Sequence, residues 1–340
     1  MRVLSVVGNR PQFVKSGPLS LALRDAGLEE TVVHTGQHWD PEMSAVFFEE
    51  LGLDEPAFRL DLRTADTEAM EPPIREAVAR VRPDWVLVYG DTNSTLAGAR
   101  AAGDVPVAHV EAGLRSFDLS MPEERNRIAV DRLAALLLCP DERSAAQLEQ
   151  EGVRGRREVV GDVMADATRV FLPVARARRE RPVEGEYVAL TLHREANTAP
   201  AQLRGLVDAV NAAPWQFVFP VHPRTRHVLD EHGIELGANV RALEPLGYLE
   251  MLALVEGASR VVTDSGGLQK EAYWLGVPCV TLRANTEWVD TVRVGANTLV
   301  DPAAPEGLAD ALERAVFPAG APALYGDGHA SERIAALLGR

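Results

Sequence analysis

A turn of Ser265, Gly266 and Gly267 follows the apolar run "RVVT" and opens a helix-like stretch. Glycines let the backbone approach a ligand closely, and the N–H groups at a helix start favour an anion such as phosphate. Glu271 lies four residues beyond Gly267, where its carboxylate would repel phosphate but accept hydrogen bonds from a ribose diol. A Ser-Gly-Gly turn is also an ordinary strand-to-helix connection. Together with Glu271, it predicts a site for a nucleoside diphosphate.

Two common nucleotide-binding motifs do not account for this turn. The chain has no GxxxxGK[ST] sequence, and no GxGxxG sequence follows its first predicted strand. The predicted phosphate site therefore differs from both a P-loop and a dinucleotide-binding turn.

Ionisable side chains also follow the other predicted strands, at the sheet edge where parallel sheets bind ligands. Each alone has an ordinary explanation: Asp91 as a helix cap, a lone histidine as a rim residue, and Glu124 as an acid that complements a helix dipole. Random surface decoration would not prefer one edge, so the gathering predicts a site rich in carboxylates and cations. The side chains are Arg10, Lys15, Asp91, Glu111, Arg115, Glu123, Arg127, His193, His222, Arg224 and Asp264.

Short apolar runs alternate with helix-like stretches along the chain. Near-continuous apolar strands that alternate with helices are typical of parallel sheets covered on both faces. The predicted strands are 2–8, 31–36, 85–90, 106–113 and 135–140, then 187–193, 217–222, 239–243, 260–265, 278–282 and 297–300.

The two series of strands predict two doubly wound, Rossmann-like α/β domains facing a cleft, where ligands would bind. We expect an N-terminal domain at 1–170, which carries the acids, and a C-terminal phosphate-binding domain at 187–325. The charged segment 171–186 contains two prolines and predicts a linker. Residues 326–340 include a helix that packs back on one of the domains, which we expect to be the first.

The composition narrows the class of partner. At 340 residues with 46% hydrophobic and 25% charged residues, the chain is typical of a globular protein. Its net charge of −15 argues against nucleic acid or an anionic membrane surface as the main partner. Cys139 and Cys279 each end an apolar run, which predicts buried free thiols in a reducing cytosol. No signal peptide or bilayer-length apolar run is evident, so we expect a cytoplasmic protein.

Ten sequence motifs, spread in order over nearly the whole chain, resemble those of one family. They are similar to the non-hydrolysing UDP-N-acetylglucosamine 2-epimerases, which have the glycosyltransferase-B-type double α/β fold. The motifs are "GNRPQFVK", "HTGQH", "GDTNST", "HVEAGLRS", "MPEERNR", "LHREAN", "HPRT", "TDSGGLQKEA", "TLRANTEW" and "YGDGHASERI".

The resemblance implies an isomerase that inverts C2 of a UDP-linked 2-acetamido sugar. In this family UDP leaves C1 as a proton leaves C2, which gives 2-acetamidoglucal, and UDP then adds back after reprotonation on the other face. The resemblance implies no nicotinamide, no other cofactor and no metal. It also implies a homodimer that supplies precursors for polysaccharide synthesis.

The resemblance further implies roles for individual residues. Asp91, Glu111 and Glu123 match the acid/base carboxylates, and the matching leaves open which one removes and which one returns the proton. His193 matches the active-site histidine near the diphosphate, and 243–251 resembles the segment that reads uracil. The matched substrate and UDP contacts are Arg10, Lys15, Arg115, Arg127, Ser265, Gly266, Gly267 and Glu271.

Two segments depart from the common family pattern. Many bacterial members follow Gln-His with Arg-x-Met-Leu-Asp-Gln, in a helix that helps form an activating UDP-N-acetylglucosamine site, whereas residues 36–47 read "GQHWDPEMSAVF". We therefore do not expect that regulation here. Trp288 replaces a cation of the common Thr-Glu-Arg-Pro-Glu motif. "TEWV" is similar to relatives that epimerise UDP-2,3-diacetamido-2,3-dideoxyglucuronic acid, which makes that sugar the alternative substrate; a neutral packing change is the other interpretation.

Other functions are compatible with the same fold. A UDP-sugar glycosyltransferase would share the phosphate turn and the cleft but would need an acceptor. A hydrolysing relative would release the free sugar, and a UDP-sugar sensor would bind without exchanging the C2 hydrogen. The trio of carboxylates in the first half of the chain favours an epimerase.

Overall fold

The computed structural model describes residues 1–37, 53–177 and 183–340. The chain divides into two compact units, of which the first combines Met1–Val170 with Tyr325–Arg340 and the second is Phe171–Leu324. The segment 36–47, discussed above for its sequence, lies largely outside the described residues, as do residues 178–182 of the predicted linker.

Each unit is built on one parallel sheet. The first has seven strands in the order β3-β2-β1-β4-β5-β6-β7, and the second has six in the order β10-β9-β8-β11-β12-β13. The strands are β1 Arg2–Val7, β2 Glu29–His34, β3 Phe58–Arg59, β4 Trp85–Tyr89, β5 Val107–Val110, β6 Leu136–Cys139, β7 Arg156–Val159, β8 Val188–Thr191, β9 Phe217–Pro220, β10 Val240–Leu243, β11 Arg260–Thr263, β12 Cys279–Leu282 and β13 Asn297–Val300.

Helices connect almost every pair of consecutive strands. They are α1 Arg10–Asp25, α2 Thr67–Val81, α3 Asn93–Ala101, α4 Pro122–Leu133, α5 Glu142–Gln150, α6 Val163–Ala177, α7 Glu195–Thr198, α8 Pro200–Ala212, α9 Pro223–Glu231, α10 Tyr248–Gly257, α11 Gly266–Trp274, α12 Val289–Arg293, α13 Leu308–Arg314 and α14 Ala330–Leu338.

The central strands are buried on both faces, which explains their continuous apolar sequences. In β8, Val188 and Leu190 pack into one hydrophobic cluster of the second unit, while Ala189 packs into another. Successive side chains of a strand point to opposite faces, so the two clusters lie on opposite sides of the sheet. This arrangement confirms the prediction of two doubly wound α/β units with parallel sheets.

The sequence analysis does not predict two edge strands. β3 has only two residues, and β7 has the sequence "RREV", which is largely exposed. An edge strand pairs with a single neighbour and can leave its side chains in water, so its sequence need not be apolar.

The C-terminal helix α14 belongs to the first unit and packs against α1. Its first turn is held by Asp166 of α6, whose carboxylate accepts hydrogen bonds from the backbone N–H groups of Ala330 at 3.1 Å and Ser331 at 2.6 Å. Ile334 and Leu338 are buried on its inner face.

Within the parts of the chain that the structure describes, no helix is long and apolar enough to span a membrane. Cys139 and Cys279 are free and buried, as predicted.

Candidate active site

Glu111 and Lys15 form an ion pair at the carboxyl edge of the first sheet. Glu111 directly follows β5, Lys15 projects from α1, and the two side chains are only 11% and 15% exposed. Glu111 has a φ of +72°, a left-handed conformation that a residue other than glycine seldom adopts. Such strain costs about 1–3 kcal/mol and tends to cluster at functional sites. The left-handed backbone at Glu111 therefore indicates a functional residue.

Asp91 follows the neighbouring strand β4, after Gly90, whose φ is +65°. Its carboxylate pairs with the guanidinium of Arg127 on α4. Thr92, and not Asp91, caps α3, because its hydroxyl accepts a hydrogen bond from the N–H of Thr95. The parallel register of β4 and β5 thus brings Asp91 and Glu111 to one edge of the sheet.

Burial and neighbouring charges shift the pKa values of both Asp91 and Lys15. Burial raises the pKa of Asp91 above its usual value; Arg127 and Lys15 oppose this rise, while Glu111 and Glu123 add to it. Burial acts to lower the pKa of Lys15, but the attraction of Glu111 and Asp91 outweighs it and leaves that pKa raised. Lys15 therefore remains an ammonium, and Asp91 gains a proton more readily than an ordinary aspartate does.

Glu123 and Glu124 lie in the first turn of α4 and have different surroundings. Glu123 is exposed, whereas Glu124 is buried. The Glu124 carboxylate accepts hydrogen bonds from the backbone N–H groups of Ser116 and Phe117, each at 3.0 Å, and pairs with Arg127 at 2.9 Å. Glu124 therefore fixes the loop before α4, a role beyond the predicted complement to the helix dipole.

Arg115, predicted as a ligand contact, makes ion pairs inside the first unit. Its guanidinium lies 2.7 Å from a carboxylate oxygen of Asp131 and 2.6 Å from one of Glu151, and its side chain is 2% exposed. Burial acts to lower the pKa of Arg115, but Glu151 and Asp131 raise it. These contacts show a structural role for Arg115; contact with a ligand stays a prediction.

Arg10 is the first residue of α1, where it is partly exposed. Asn9 caps this helix by accepting a hydrogen bond from the N–H of Gln12 at 3.2 Å. Gly8 is required just before it, since a Cβ there would lie 2.0 Å from the hydroxyl of Ser94. The close packing of Gly8 thus fixes the start of α1 and, with it, the backbone positions of Arg10 and Lys15.

His193 and Asp264 form the corresponding cluster in the second unit. The His193 Nδ1 lies 3.1 Å from a carboxylate oxygen of Asp264, which also accepts hydrogen bonds from the backbone N–H groups of His193 and Arg194. Burial acts to raise the pKa of Asp264, but His193 and these N–H groups hold it below its usual value. Asp264 is fully buried and His193 is 39% exposed, so an anionic aspartate orients an accessible imidazole.

The Ser-Gly-Gly turn opens α11 as predicted. Ser265 is the N-cap, and its hydroxyl accepts a hydrogen bond from the N–H of Leu268 at 3.4 Å. A Cβ at Gly267 would meet nothing within 4 Å, whereas one at Gly266 would lie 2.6 Å from a carboxylate oxygen of Glu287. Glu271 lies in the second turn of the helix. The helix start is therefore open at Gly267 and covered by an acid at Gly266.

Two arginines line a pocket of about 310 Å³ at the same edge of the second sheet, Arg194 after β8 and Arg283 after β12. Because the two cations line one pocket, burial and the charge of Arg283 lower the pKa of Arg194. Glu287 pairs with Arg283 at 2.9 Å. Across residues 1–37, 53–177 and 183–340, no group of His, Cys, Asp and Glu side chains is arranged to hold a metal ion.

Trp288, the residue that replaces a cation of the common motif, is buried against a lysine. The Lys270 ammonium lies 4.0 Å from the centroid of the Trp288 ring. The indole nitrogen is 3.7 Å from the position of a Cβ at Gly266. A cation–π contact thus places Lys270 behind the indole, beside the turn at Ser265.

Each unit brings its own predicted residues together. Lys15, Glu111, Asp91 and Arg127 form one cluster in the first unit, with Glu123 near Asp91. In the second unit, His193 and the turn at Ser265 meet through Asp264.

The sequence analysis missed a buried pair beneath the first cluster. His109 of β5 and Asp131 of α4 are fully buried and joined by a 2.8 Å contact. The available signal was a histidine inside an otherwise apolar strand, because a buried polar side chain requires a partner.

Comparisons with known proteins identify the family to which the chain is similar. A profile of the family described as UDP-N-acetylglucosamine 2-epimerase matches residues 21–339. A Pseudomonas aeruginosa protein, described as UDP-2,3-diacetamido-2,3-dideoxy-D-glucuronate 2-epimerase, is 43% identical over the full length of both chains.

Solved structures agree. The UDP-GlcNAc 2-epimerase of Methanocaldococcus jannaschii, crystallised in complex with UDP-GlcNAc and UDP, has a TM-score of 0.86 at 36% identity, covering 100% of this chain and 99% of that one. The Neisseria meningitidis UDP-GlcNAc 2-epimerase bound to UDP-GlcNAc has a TM-score of 0.85 at 28% identity, covering 99% of each.

The two parallel α/β units define a protein of the glycosyltransferase-B-type fold class. Within that class, the chain belongs to the UDP-N-acetylglucosamine 2-epimerase family and is an isomerase.

Proposed function

We propose that the protein interconverts UDP-N-acetylglucosamine and UDP-N-acetylmannosamine by inverting C2 of the sugar. Family membership supports the reaction class. The observation that carries the proposal is the cluster at one sheet edge in which Glu111 pairs with Lys15, Asp91 pairs with Arg127, and Lys15 also acts on Asp91. Inversion at one carbon needs a group that takes a proton from one face and a group that returns it to the other, and this cluster supplies two carboxyl groups with different cationic partners.

The first half of the reaction is an elimination. A carboxylate takes the C2 proton, the C2–H electrons form a double bond to C1, and the C1–O bond breaks as UDP leaves. The product is 2-acetamidoglucal. Glu111, paired with the ammonium of Lys15, suits the role of base because this pairing favours an ionised carboxylate.

The second half reverses these steps on the opposite face. A proton is delivered to C2, and an oxygen of UDP adds to C1. Asp91 suits the role of acid because burial raises its pKa, so its protonated form is more accessible. Glu123 is the third acid of the set, and its position in the first turn of α4 supports a role in either transfer.

The second unit would hold the nucleotide. Ser265, Gly266 and Gly267 would bind phosphate through the start of α11, and Glu271 would accept hydrogen bonds from the ribose. The nearby cations Arg194 and Arg283 would stabilise the charge of departing UDP. His193 would contact the diphosphate, and 243–251 would read uracil. Arg10, Arg115 and Arg127 would contact the sugar or the diphosphate.

A second substrate is favoured by a specific observation. Trp288 stands at the position where the common motif has a cation, and the Pseudomonas aeruginosa relative is described as an epimerase of a diacetamido uronic acid sugar. The alternative is therefore that UDP-2,3-diacetamido-2,3-dideoxyglucuronic acid undergoes the same inversion at C2.

We further propose that the protein acts in the cytoplasm as a homodimer and supplies a precursor for polysaccharide synthesis. The excess of acidic residues disfavours nucleic acid or an anionic membrane surface as its partner, and family membership supports a nucleotide sugar.

The decisive experiment is turnover of UDP-N-acetylglucosamine by the purified protein in D2O. We expect the manno epimer with deuterium at C2, because the proton removed from C2 exchanges with solvent before another is returned. NMR of the sugar protons measures both the inversion and the label.

Other outcomes would separate the alternatives. Free sugar would indicate a hydrolase, and an epimer without deuterium would contradict the proton transfer. Turnover of only the diacetamido uronic acid sugar would change the substrate but not the chemistry. Tight binding of UDP with no turnover of either sugar would indicate a sensor.

A further inference from the structure

His109 lies directly beneath the cluster of acids in the first unit. It is the third residue of β5, two positions before Glu111, and its side chain is fully buried. Both of its ring nitrogens have partners: Nδ1 lies 2.8 Å from a carboxylate oxygen of Asp131, and Nε2 lies 2.7 Å from the carbonyl oxygen of Gly90.

These two partners fix the number of protons on the ring. The carbonyl oxygen of Gly90 can only accept, so Nε2 must donate and carry a proton. Burial acts to raise the pKa of Asp131, but the Arg115 guanidinium lies 2.7 Å from one of its carboxylate oxygens and favours the anion. Asp131 is then an anion that can only accept, so Nδ1 must also carry a proton. The geometry points to a doubly protonated imidazolium.

The surrounding charges balance this cation. Asp131 also faces Arg115 at 2.7 Å, and Arg115 in turn faces Glu151 at 2.6 Å. The row therefore alternates between cations and anions, from His109 through Asp131 and Arg115 to Glu151. A buried charge is tolerated when it is paired and hydrogen-bonded, and every buried member of this row meets that condition.

The imidazolium holds the peptide that precedes Asp91. Gly90, with its φ of +65°, donates its own N–H to the carbonyl oxygen of Val110 at 3.0 Å and offers its carbonyl oxygen to His109. The carbonyl oxygen of Asp91 accepts a hydrogen bond from the Asn126 amide at 3.1 Å. The backbone is thus clamped on both sides of the Asp91 Cα, which sets the direction in which its carboxyl group points.

We propose that His109 is a positioning residue for the epimerase reaction, acting as a buried imidazolium that fixes the Gly90 carbonyl and so aims Asp91 at C2 of the substrate. This inference rests on the proposed function. Catalytic groups must be held within a fraction of an ångström of the productive geometry, and a displacement of about 1 Å can cost about 100-fold in rate.

Two amide variants separate the two hydrogen bonds of His109. In His109→Gln the terminal amide reaches the place of Nε2 and can still donate to Gly90, whereas in His109→Asn the shorter side chain reaches only the place of Nδ1 and Asp131. We expect His109→Asn to lower kcat at least about tenfold more than His109→Gln. KM and the affinity for UDP should change little in either. His227→Gln, at an exposed histidine on α9, is the matched control.

The result that overturns the proposal is equal loss of kcat in the two variants, or a loss that follows stability in urea instead of the hydrogen bond to Gly90. A second measurement needs no variant: ¹⁵N NMR of the wild-type ring should show both nitrogens protonated at neutral pH, and one unprotonated nitrogen refutes the imidazolium.

Failure of the proposed function would be seen separately. If the wild-type protein turns over neither sugar, the epimerase assignment fails while the ring protonation still stands or falls by NMR. The position of Asp91 is then tested by its amide resonance, which should shift in His109→Asn and stay near its wild-type value in His109→Gln; equal shifts would refute the positioning role.

Discussion

Asp91 and Glu111 differ in their partners, and each should be needed for turnover. Replacing either carboxyl group with an amide, in Asp91→Asn and Glu111→Gln, keeps the shape of the side chain and removes its ability to take or give a proton. We expect kcat to fall about 10²–10⁴-fold in each variant. The affinity for UDP, measured by calorimetry, should remain within a few-fold of wild type, because the nucleotide is assigned to the second unit.

Glu76→Gln is the matched control, since Glu76 is exposed on α2 and its ion pair is with Arg80 one turn away. It should leave turnover unchanged. Full activity in both Asp91→Asn and Glu111→Gln would remove the acid/base assignment.

Residue types could be predicted from the sequence more easily than their states. The positions of Asp91 and Glu111 after apolar strands were enough to expect them at one edge, because parallel strands end together. The left-handed backbone of Glu111 arises from tertiary contacts that no local pattern encodes, and the histidine inside an apolar strand signals a buried partner without identifying Asp131. Arg115 shows the same limit: its position at a strand end predicted a ligand contact, but two acids remote in sequence surround it.

At the scale of elements, the turn after Glu111 is fixed by its packing against α5. Gly113 has a φ of +84°, and a Cβ there would lie 2.3 Å from the carbonyl oxygen of Ser144 in that helix. We expect Gly113→Ala to destabilise the fold by about 2–5 kcal/mol, combining about 1–2 kcal/mol for the left-handed backbone with about 1–3 kcal/mol for the clash. Urea unfolding measures the change.

Gly103→Ala isolates the contribution of the left-handed backbone. Gly103 has a similar φ of +62°, but a Cβ there would meet nothing within 4 Å. This variant should therefore cost only about 1–2 kcal/mol. Equal losses of unfolding free energy in the two variants would mean that α5 yields to the added methyl group and does not fix the turn.

Helices and strands differ in how far their own sequences determine them. Strands buried on both faces can be predicted because their sequences are apolar runs. Ser265 and Thr92 could be predicted as caps because a cap accepts a hydrogen bond from the start of its own helix. β3 and β7 could not, because edge strands owe their pairing to a neighbour and not to their own hydrophobicity.

At the scale of the whole molecule, the first unit depends on the last residues of the chain. Ile334 of α14 is fully buried, and α14 packs on α1, the helix that carries Lys15. We expect Ile334→Ala to cost about 2–5 kcal/mol and to weaken the protection of α1 against hydrogen exchange. Mass spectrometry of exchanged peptides should show the effect at 10–25 but not in β9 of the second unit.

Val316→Ala provides the comparison, because Val316 is 68% exposed in the second unit. It should change exchange in neither unit. If Ile334→Ala loosened β9 as much as α1, the two units would unfold as one, and the C-terminal helix would not be a support specific to the first.

The carboxylate of Glu287 occupies the start of α11, where phosphate is expected to arrive, and it is paired there with Arg283. Capture of a nucleotide at this turn would then be an exchange of one anion for another. Glu287 already partly neutralises the helix dipole and Arg283 before a ligand enters, so the net affinity for a nucleotide would be the difference between binding the diphosphate and displacing this carboxylate. A small difference of this kind would favour quick release of the nucleotide, which suits an enzyme whose product is nearly identical to its substrate.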